Sequence, residues 1–291
     1  MALVSLPSLS MQATRQSENQ VSALLPQVVK IAKEAGLAIM AIYEHMTDEA
    51  AQVSYKADGS PLTQADLAAH RVISHGLAQL TPDIPVVSEE DSASEIHRKP
   101  TGHFWLVDPL DGTKEFLAHN GEFTVNIALI EDSVAVLGVV VAPALGLAYW
   151  GATGLGAFRQ RPQGIEAIPV AFEQERSGHA LRVLASKSHM SHETQVFLNR
   201  LGPHELMQAG SSLKFCRIAE GSADLYPRLS PTCEWDTAAG QAVLEAAGGS
   251  VLQPDGTPVR YGKPDVLNPH FIAASALPSQ QANPLRSMAA P

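Results

Sequence analysis

The chain has 291 residues, of which 45% are hydrophobic and 17% are charged, so it can bury a large core and is not a disordered protein. Asp and Glu total 30 against 20 Lys and Arg, and the formal net charge of -10 argues against binding to duplex nucleic acid through a basic surface. Cys216 and Cys233 are too few for a disulfide framework or a cysteine-rich metal site, and they indicate a reduced, cytoplasmic protein.

The first part of the chain predicts helices. Residues 1–20 lack the basic start and the long apolar run of a signal peptide, and we expect them to form a loose tail. Apolar residues at helical spacing predict a helix over 21–45. Thr63 is expected to cap a second helix over 64–80.

Short apolar segments in the middle of the chain predict β-strands. They cover 84–88, 104–107, 123–130, 134–141 and 147–150. Residues 133–158 contain no charged side chain and have the apolar character of a membrane span. Glycines and a proline interrupt this stretch every few residues, so it is more typical of a β-meander than of a transmembrane helix.

Strands and helices alternate in the last third of the chain. The predicted strands cover 181–185, 205–208 and 223–226, and the predicted helices cover 191–201, 213–220 and 237–247. Helices first, then strands, then alternation indicate a layered α+β or α/β fold. We expect an N-terminal α+β half over 21–180 that carries most of the candidate site, a C-terminal α/β half over 181–275, and a tail over 276–291.

Acidic residues at the ends of predicted strands are the candidates for chemistry. Glu89 and Glu90 follow one strand, and Asp108 and Asp111 lie where the next strand ends, in WLVDPLDGTKEF. Carboxylates at the ends of buried strands are costly unless they are paired or bind a metal ion. Oxygen ligands without histidine or cysteine suit Mg²⁺ better than zinc. The alternative is structural, because Asp-Pro and Asp-Gly pairs are common in turns, and the two glutamates alone would fit a solvated loop.

Two further acids lie near the starts of predicted helices. Asp236, in EWDTAAG, is either the N-cap of an alanine-rich helix or a metal ligand, and one residue can serve both purposes. Asp66, in KADGSPLTQAD, is either an exposed acid in the first turn of a helix or part of the same site. Gly112 would let the backbone approach a ligand closely, and the amides from Thr113 onward could face an anion. Metal-binding acids beside anion-binding amides outline a site for phosphoryl transfer.

Four segments occur in order along the chain, KADGSPLTQAD, VVSEED, WLVDPLDGTKEF and EWDTAAG. Together they resemble the motifs of the inositol monophosphatase superfamily, the lithium-sensitive, magnesium-dependent phosphomonoesterases. Within this superfamily the chain looks most like the bacterial 3′(2′),5′-bisphosphate nucleotidases. The narrower likeness depends on DGTKEFLAHNGEFTVNIALI, AGSSLKFCRIAEGSADLYPRLSPTCEWDTAAG and VLNPHF.

The resemblance implies an αβαβα sandwich with a metal site between its two halves. The implied ligands of two Mg²⁺ ions are Glu89, Asp108, the Leu110 carbonyl, Asp111 and Asp236. Glu89, Asp108 and Leu110 would match the first ion, and the three aspartates the second, so Asp108 would bridge them. Asp66 would order water or bind a third, weaker ion. Thr113 would help to orient the nucleophilic water, a task that Glu89 would share.

The resemblance also implies the reaction, which is hydrolysis of adenosine 3′,5′-bisphosphate to AMP and phosphate, linked to sulfate assimilation and inhibited by Li⁺. The residues implied in substrate binding are Glu89, Asp111, Gly112, Thr113, Lys114, Ser211, Ser212, Lys214, Arg228 and Asp236. Lys214 and then Arg228 are the first candidates for the second phosphate, although each also fits an ordinary surface cation.

Two other functions fit the same residues. An inositol monophosphatase or a fructose-1,6-bisphosphatase on the same scaffold would need the same acids. A metal-dependent nucleotide sensor without turnover is the alternative outside the enzymes, and the complete set of acids argues against it. The resemblance leaves open a homodimer and a peripheral location on the cytoplasmic face of the inner membrane.

Overall fold

The computed structural model describes residues 9–45, 54–55, 61–170, 180–186 and 190–275. Within these residues the α-helices are α1 (Leu9–Tyr43), α2 (Gln64–Leu80), α3 (Thr113–Leu117), α4 (His192–Leu201), α5 (Leu213–Ala219) and α6 (Ala238–Ala246). Short 3₁₀ turns cover Ser92–His97 and Pro143–Leu145.

The described strands form one short pair and two larger sheets. The pair consists of β1 (Ser54–Tyr55) and β2 (Pro61–Leu62). The seven-stranded sheet follows chain order, with β3 (Val86–Ser88), β4 (His103–Asp111), β5 (Thr124–Glu131), β6 (Val134–Ala142), β7 (Leu147–Ala152), β8 (Gly156–Arg161) and β9 (Gly164–Ile168). In this sheet β3 and β4 are parallel, and each later pair is antiparallel.

The second large sheet is built from the last third of the chain. Its strands are β10 (Leu181–Ser186), β11 (His204–Ala209), β12 (Leu225–Arg228), β13 (Ser250–Leu252) and β14 (Phe271–Ala274). Their spatial order is β11-β10-β12-β14-β13. Strand β10 runs parallel to β11 and β12, while β14 is antiparallel to both of its neighbours. Strand β14 therefore lies inside the sheet although it comes last among the described elements.

The two sheets and the helices stack in five layers. Helices α1 and α2 cover one face of the seven-stranded sheet, and α5 and α6 fill the space between its other face and the five-stranded sheet. Along β5, Ile127 and Leu129 pack in the core under α1 and α2, and Ala128 and Ile130 pack in the core around α5 and α6. This alternation is expected for a strand that is buried on both faces. Phe197 of α4 packs in a third core on the outer face of the second sheet. The predicted αβαβα sandwich is confirmed.

Helix α6 lies unusually close to the seven-stranded sheet because glycines stand where it crosses β6 and β7. A Cβ added to Gly138 would lie 2.3 Å from the Ala239 carbonyl oxygen, and one added to Gly151 would lie 2.8 Å from the Ala246 Cβ. Real Cβ atoms do not approach other atoms this closely, so only glycine fits. The close approach fixes where the start of α6 lies relative to the sheet.

Several sequence predictions agree with the structure. The second helix spans 64–80 as predicted, and the Thr63 side chain caps it by accepting from the Ala65 amide. The charge-free stretch over 133–158 forms strands of an antiparallel meander. Within the described part of the chain, no helix has an apolar stretch long enough to cross a membrane.

Other predictions differ from the structure. The first helix begins at Leu9, so residues 9–20, which we assigned to a loose tail, are helical. This stretch is rich in helix-forming polar residues and contains no glycine or proline, but it lacks the apolar periodicity on which the prediction relied. Strands β13 and β14 were missed, because each is too short for a pattern to show.

Candidate metal centre and active site

Three carboxylates from three separate segments converge at one place in the structure. Glu89, Asp108 and Asp236 each bring one oxygen to a group in which all three oxygens lie within 4.8 Å of one another. Asp108 is buried, and the other two are partly buried. The donor set consists of carboxylate oxygens alone, without histidine or cysteine, and therefore fits a hard divalent cation such as Mg²⁺.

Parallel pairing of β3 and β4 places Glu89 beside Asp108. Ser88 pairs with Val107 in this ladder, and the Glu89 amide donates to the Val107 carbonyl at 3.1 Å. The next residue of each strand therefore lies at the same edge of the sheet. Because the two strands run in the same direction, Glu89, one residue past the end of β3, lies beside Asp108, which is still within β4.

A β-bulge brings Asp111 to the same face of β4 as Asp108. Asp108 pairs with Asn126 and Asp111 with Thr124, so β4 advances three residues while β5 advances two. The extra residue shifts the alternation of side chains by one position. Pro109 lies in the bulge, where its lack of an amide hydrogen costs nothing in the ladder. The Leu110 amide donates to Asp108 Oδ1 at 3.0 Å and fixes that carboxylate.

Ser212 and Asn126 connect Asp111 to the Asp236 turn. Ser212 Oγ lies 3.0 Å from Asp111 Oδ2 and 2.7 Å from the Asp236 carbonyl oxygen. Asn126 donates from Nδ2 to Ser212 Oγ at 2.9 Å and to Asp111 Oδ2 at 3.3 Å. Four of the predicted acids, namely Glu89, Asp108, Asp111 and Asp236, are thus brought into one site.

Asp236 is not the N-cap of α6, which was the structural alternative to a metal ligand in the sequence analysis. The N-cap is Thr237, and Asp236 precedes it. Asp236 Oδ2 accepts instead from the amide of Cys233 at 2.8 Å. This bond orients the carboxylate within its own turn and away from the helix amides, so that it reaches the other acids.

The electrostatics of the cluster oppose ionisation of all its members at once. Burial raises the pKa of Asp236 well above its usual value, and the charges of Asp111 and Glu89 raise it further. Burial also raises the pKa of Asp111, an effect that the positive charge of Lys214 reduces. Like charges held together in this way require a proton or a cation for compensation. A divalent cation would supply that compensation.

The raised pKa values predict how stability depends on pH when Mg²⁺ is chelated. A carboxyl with a higher pKa in the folded state stabilises the fold below its unfolded pKa of about 3.9, and this contribution is lost as the pH rises through the folded pKa. We expect the free energy of unfolding of Asp236→Asn, relative to the unaltered protein, to increase from about pH 4 towards neutral pH. Urea unfolding in EDTA at several pH values measures this difference, and a difference independent of pH would contradict it. Added Mg²⁺ should increase the free energy of unfolding of the unaltered protein more than that of Asp236→Asn, because the unaltered site binds the ion more tightly.

Asp66 and Thr113 form a second part of the site, next to the acid cluster. Asp66 is 1% exposed, and its Oδ2 accepts from the Thr63 amide at 2.8 Å in the capping box of α2. Its other oxygen, Oδ1, lies 3.5 Å from Thr113 Oγ1, which is positioned to donate to it. The predicted exposed first-turn acid is therefore buried and aimed at Thr113.

The segment after Asp111 turns sharply into α3. Gly112 has φ 92°, in the left-handed region that favours glycine, and Thr113 begins the helix. A Cβ at Gly112 would lie 3.3 Å from the Glu122 carbonyl oxygen, so space there is limited as well. The exposed Lys114 follows in the first turn. The turn places the Thr113 hydroxyl beside Asp66.

The candidate cations for substrate binding differ in their surroundings. Lys214 is 6% exposed and donates from Nζ to the carbonyls of Ala209 and Ser211, at 3.2 and 2.7 Å. Burial lowers the pKa of Lys214 to about 8, while Asp111 opposes this shift. Arg228 donates from Nη2 to the Pro231 carbonyl at 2.8 Å, and its buried Nε has no hydrogen-bond partner among the described residues.

The side chain of Ser211, the remaining residue predicted to contact substrate, forms a hydrogen bond within the protein. Its hydroxyl donates to the Glu122 carbonyl at 3.1 Å, and its backbone has φ 43°. The amide of the preceding Gly210 donates to Glu122 Oε2 at 2.8 Å. Residues 210–212 are therefore held in a fixed loop against the segment that follows α3.

Asn126 belongs to the site and was missed by the sequence analysis. It is 1% exposed in the middle of β5, and its Oδ1 is buried without a hydrogen-bond partner in the described part of the chain. The signal was present, because a polar residue interrupts the apolar run FTVNIALI. A buried amide is costly without partners, so an asparagine in a central strand indicates a polar site.

Comparison with known proteins assigns the family. The sequence profile of the inositol monophosphatase family matches residues 20–287. The chain is 47% identical over 249 residues to the 3′(2′),5′-bisphosphate nucleotidase CysQ of Escherichia coli (strain K12), and the alignment covers 85% of this chain and 98% of that protein. The chain belongs to the inositol monophosphatase family, whose members are metal-dependent phosphatases.

Solved structures agree with this assignment. The structure of CysQ from Bacteroides thetaiotaomicron, a bacterial member of the family, is similar with a TM-score of 0.75 and 39% identity, covering 87% of this chain and 97% of that one. The extragenic suppressor protein suhB from Bartonella henselae has a TM-score of 0.72 at 23% identity, covering 91% and 98%. The second likeness concerns the fold alone.

Proposed function

We propose that the chain is a Mg²⁺-dependent 3′(2′),5′-bisphosphate nucleotidase that hydrolyses adenosine 3′,5′-bisphosphate to AMP and phosphate, with a role linked to sulfate assimilation. The main support for this substrate is the 47% identity to a protein named for this activity, over 98% of that protein's length. The convergence of Glu89, Asp108 and Asp236 supports the metal-dependent chemistry.

The residues of the acid cluster would hold two Mg²⁺ ions. Glu89, Asp108 and the Leu110 carbonyl would hold the first ion, and Asp108, Asp111 and Asp236 the second. Bound Mg²⁺ lowers the pKa of coordinated water and neutralises developing negative charge on the phosphate. Asp108 is fixed by the Leu110 amide, so its carboxylate is already oriented for binding. Asp66 would order water or help to hold a third, weaker ion.

Thr113 and Asp66 would orient the attacking water. The Thr113 hydroxyl donates a hydrogen bond to Asp66 Oδ1. The lone pairs of Thr113 Oγ1 are therefore available to accept a hydrogen bond from water. The 3.5 Å separation is long, as catalytic hydrogen bonds often are before substrate binds. The water oxygen would lose a proton and form the new bond to phosphorus, while the ester bond breaks and the ribose oxygen takes up a proton, so that AMP and inorganic phosphate are released. The reaction needs no covalent intermediate.

The second phosphate of the substrate would be recognised by cations on the C-terminal half. Arg228 is the better candidate in the structure, because its buried Nε–H lacks a partner within the described residues. The Lys214 ammonium is engaged by two backbone carbonyls, and it would contribute positive charge and a fixed loop more than a direct bond. Gly112, Thr113 and Lys114 would hold the phosphate that is cleaved.

A comparison of substrates tests the proposal. Phosphate release is measured from adenosine 3′,5′-bisphosphate, inositol 1-phosphate and fructose 1,6-bisphosphate, with Mg²⁺, without Mg²⁺ and with added Li⁺. We expect the nucleotide to be hydrolysed fastest, only in the presence of Mg²⁺, and with inhibition by Li⁺. Faster release from either sugar phosphate would indicate the related enzymes, and tight Mg²⁺-dependent nucleotide binding without turnover would indicate a sensor.

Arg228→Met tests the site of the second phosphate. Removing charge-assisted hydrogen bonds to a phosphate is expected to lower kcat/KM for adenosine 3′,5′-bisphosphate by about 10- to 100-fold. Adenosine 3′-monophosphate lacks the second phosphate, so its kcat/KM should change little. Arg200→Met, in the last turn of α4, is the control and should affect neither substrate. Equal losses for both nucleotides would remove Arg228 from the recognition of the second phosphate.

A further inference from the structure

A fully buried carboxylate lies two residues before the candidate metal ligand Asp236. Glu234 is 0% exposed, and its two oxygens accept from backbone and side chain donors of one neighbouring segment. Oε2 accepts from the Gly262 amide at 2.9 Å, and Oε1 accepts from the Lys263 amide at 3.0 Å and from the Lys263 ammonium. Nothing in the proposed chemistry uses this charge, although burying it is costly.

Arg98 approaches the same carboxylate from the N-terminal half. Its Nη1 lies 3.5 Å from Glu234 Oε2 and donates to the Lys263 carbonyl at 2.5 Å, and its side chain is 5% exposed. Arg98 follows directly on the 3₁₀ turn over Ser92–His97, in the segment that begins with the metal ligand Glu89. The cluster of Arg98, Glu234 and Lys263, here called the buried clamp, thus connects the segments that carry two of the ligands.

The backbone around Glu234 is held on both sides as well. The Glu234 amide donates to the Val266 carbonyl at 2.9 Å, and its carbonyl accepts from the amide of Ala238 at the start of α6, at 3.1 Å. Asn268 donates from Nδ2 to the Cys233 carbonyl at 2.7 Å and to Thr237 Oγ1 at 3.0 Å. The turn that presents Asp236 therefore has little freedom to move.

We infer that Glu234, through the buried clamp, is a positioning residue that holds Asp236 against the repulsion of the other acids and so sets the affinity for Mg²⁺. This inference rests on the proposed metal site, but it does not depend on the identity of the substrate. A ligand must stay within a few tenths of an ångström of its place for tight binding, and residues that orient metal ligands typically change affinity by about 10- to 100-fold when replaced.

The test compares two buried, ion-paired glutamates. Glu234→Gln removes the charge of the clamp, and Glu220→Gln is the matched control. Glu220 has a side chain that is 1% exposed and pairs with Arg159 and Arg217 at the end of α5. Both replacements remove the buried negative charge that two cations face, so both are expected to lower thermal stability. Only Glu234→Gln should weaken Mg²⁺ binding.

Binding is measured by calorimetric titration with Mg²⁺ alone, without substrate, at a temperature where near-ultraviolet circular dichroism shows each variant to be folded. We expect the Kd for Mg²⁺ to rise about 10- to 100-fold in Glu234→Gln and to stay within about twofold of the unaltered protein in Glu220→Gln. Lys263→Met is a milder second variant, because Lys263 is partly exposed, and it decides the question if Glu234→Gln does not fold. Lys263→Met should also raise the Kd for Mg²⁺, as Glu234→Gln does.

Three results would overturn the inference. An unchanged Kd in the clamp variants would show that Glu234 serves stability alone. An equal loss in Glu220→Gln would show that any disturbed buried ion pair has the same effect. Absence of Mg²⁺ binding in the unaltered protein would overturn the metal site together with the inference, whereas Mg²⁺ binding without nucleotide hydrolysis would overturn the proposed activity alone.

Discussion

Asp108→Asn is expected to lower the kcat for phosphate release by about a thousandfold or more, because metal-based stabilisation of the transition state is worth several kcal/mol. Asp108 is the buried member of the three-carboxylate group, and it is the ligand proposed to contact both ions. Asparagine retains an oxygen that can accept from the Leu110 amide, so the local turn should persist. The measurement is phosphate release from adenosine 3′,5′-bisphosphate at saturating Mg²⁺.

A measurement of thermal stability distinguishes a loss of catalysis in Asp108→Asn from a loss of the folded state. Neutralising Asp108 removes one of several repelling charges, so the thermal midpoint in EDTA should be equal to or higher than that of the unaltered protein. Asp255→Asn is the matched control, since Asp255 Oδ1 accepts from the amide two residues later, at Thr257, in the same way but at the surface. Activity close to normal in Asp108→Asn would exclude Asp108 from the metal site. A comparable loss is expected for Asp111→Asn, again with an intact fold.

Gly138→Ala has the second largest expected effect, and it acts through the fold. The added Cβ would lie 2.3 Å from the Ala239 carbonyl oxygen and 2.8 Å from the Ala242 Cβ, so α6 or β6 must move. Overpacking of a core costs about 1–3 kcal/mol, which should lower the thermal midpoint by several degrees. Because Asp236 lies two residues before α6, the shift should also raise the Kd for Mg²⁺, measured by calorimetric titration.

Gly156→Ala is the control for this prediction. Gly156 lies in the same sheet and has φ 79°, and an added Cβ would meet no atom within 4 Å. It pays the cost of a left-handed backbone, about 1–2 kcal/mol, without pressing on α6. Gly156→Ala should therefore be less stable but bind Mg²⁺ normally. If both variants bind Mg²⁺ alike, the close packing of α6 does not position Asp236.

The acids of the site could be predicted from the sequence because each has a local signal. Glu89 and Asp108 each come directly after a largely apolar run of residues, where a charge is unexpected unless it has a function. Their convergence with Asp236 could not be derived from spacing, since it depends on the parallel pairing of β3 with β4 and on the position of α6. The resemblance to known motifs supplied that long-range information.

Residues that act through others were harder to find. Glu234 lies next to Trp235 and Asp236 in EWDTAAG and looks like a solvated acid, and only the structure shows it buried against Arg98 and Lys263. Its partners come from segments far away in the chain, so no local pattern marks them. Lys214 stays the first sequence-based candidate for a phosphate contact, and only the structure shows that its ammonium also donates to two backbone carbonyls.

Most of the architecture followed from local patterns, with exceptions that have a physical reason. The buried strands of the first sheet are long and apolar, and the capping box at Thr63 marks the start of α2 clearly. Strand β14 has four residues and pairs with strands on both sides, so its stability comes from neighbours rather than from its own composition. Such an element is decided by the tertiary structure.

The position of β14 inside the second sheet has a consequence for biosynthesis. Chains emerge from the ribosome with the N-terminal end first, and β14 emerges after all the other described elements. Glu89 and Asp108 can thus be in place on the growing first sheet while the turn of Asp236 still lacks its supporting sheet. The crowded anionic centre would form only after β14 has emerged, which spares the shorter nascent chain its electrostatic cost.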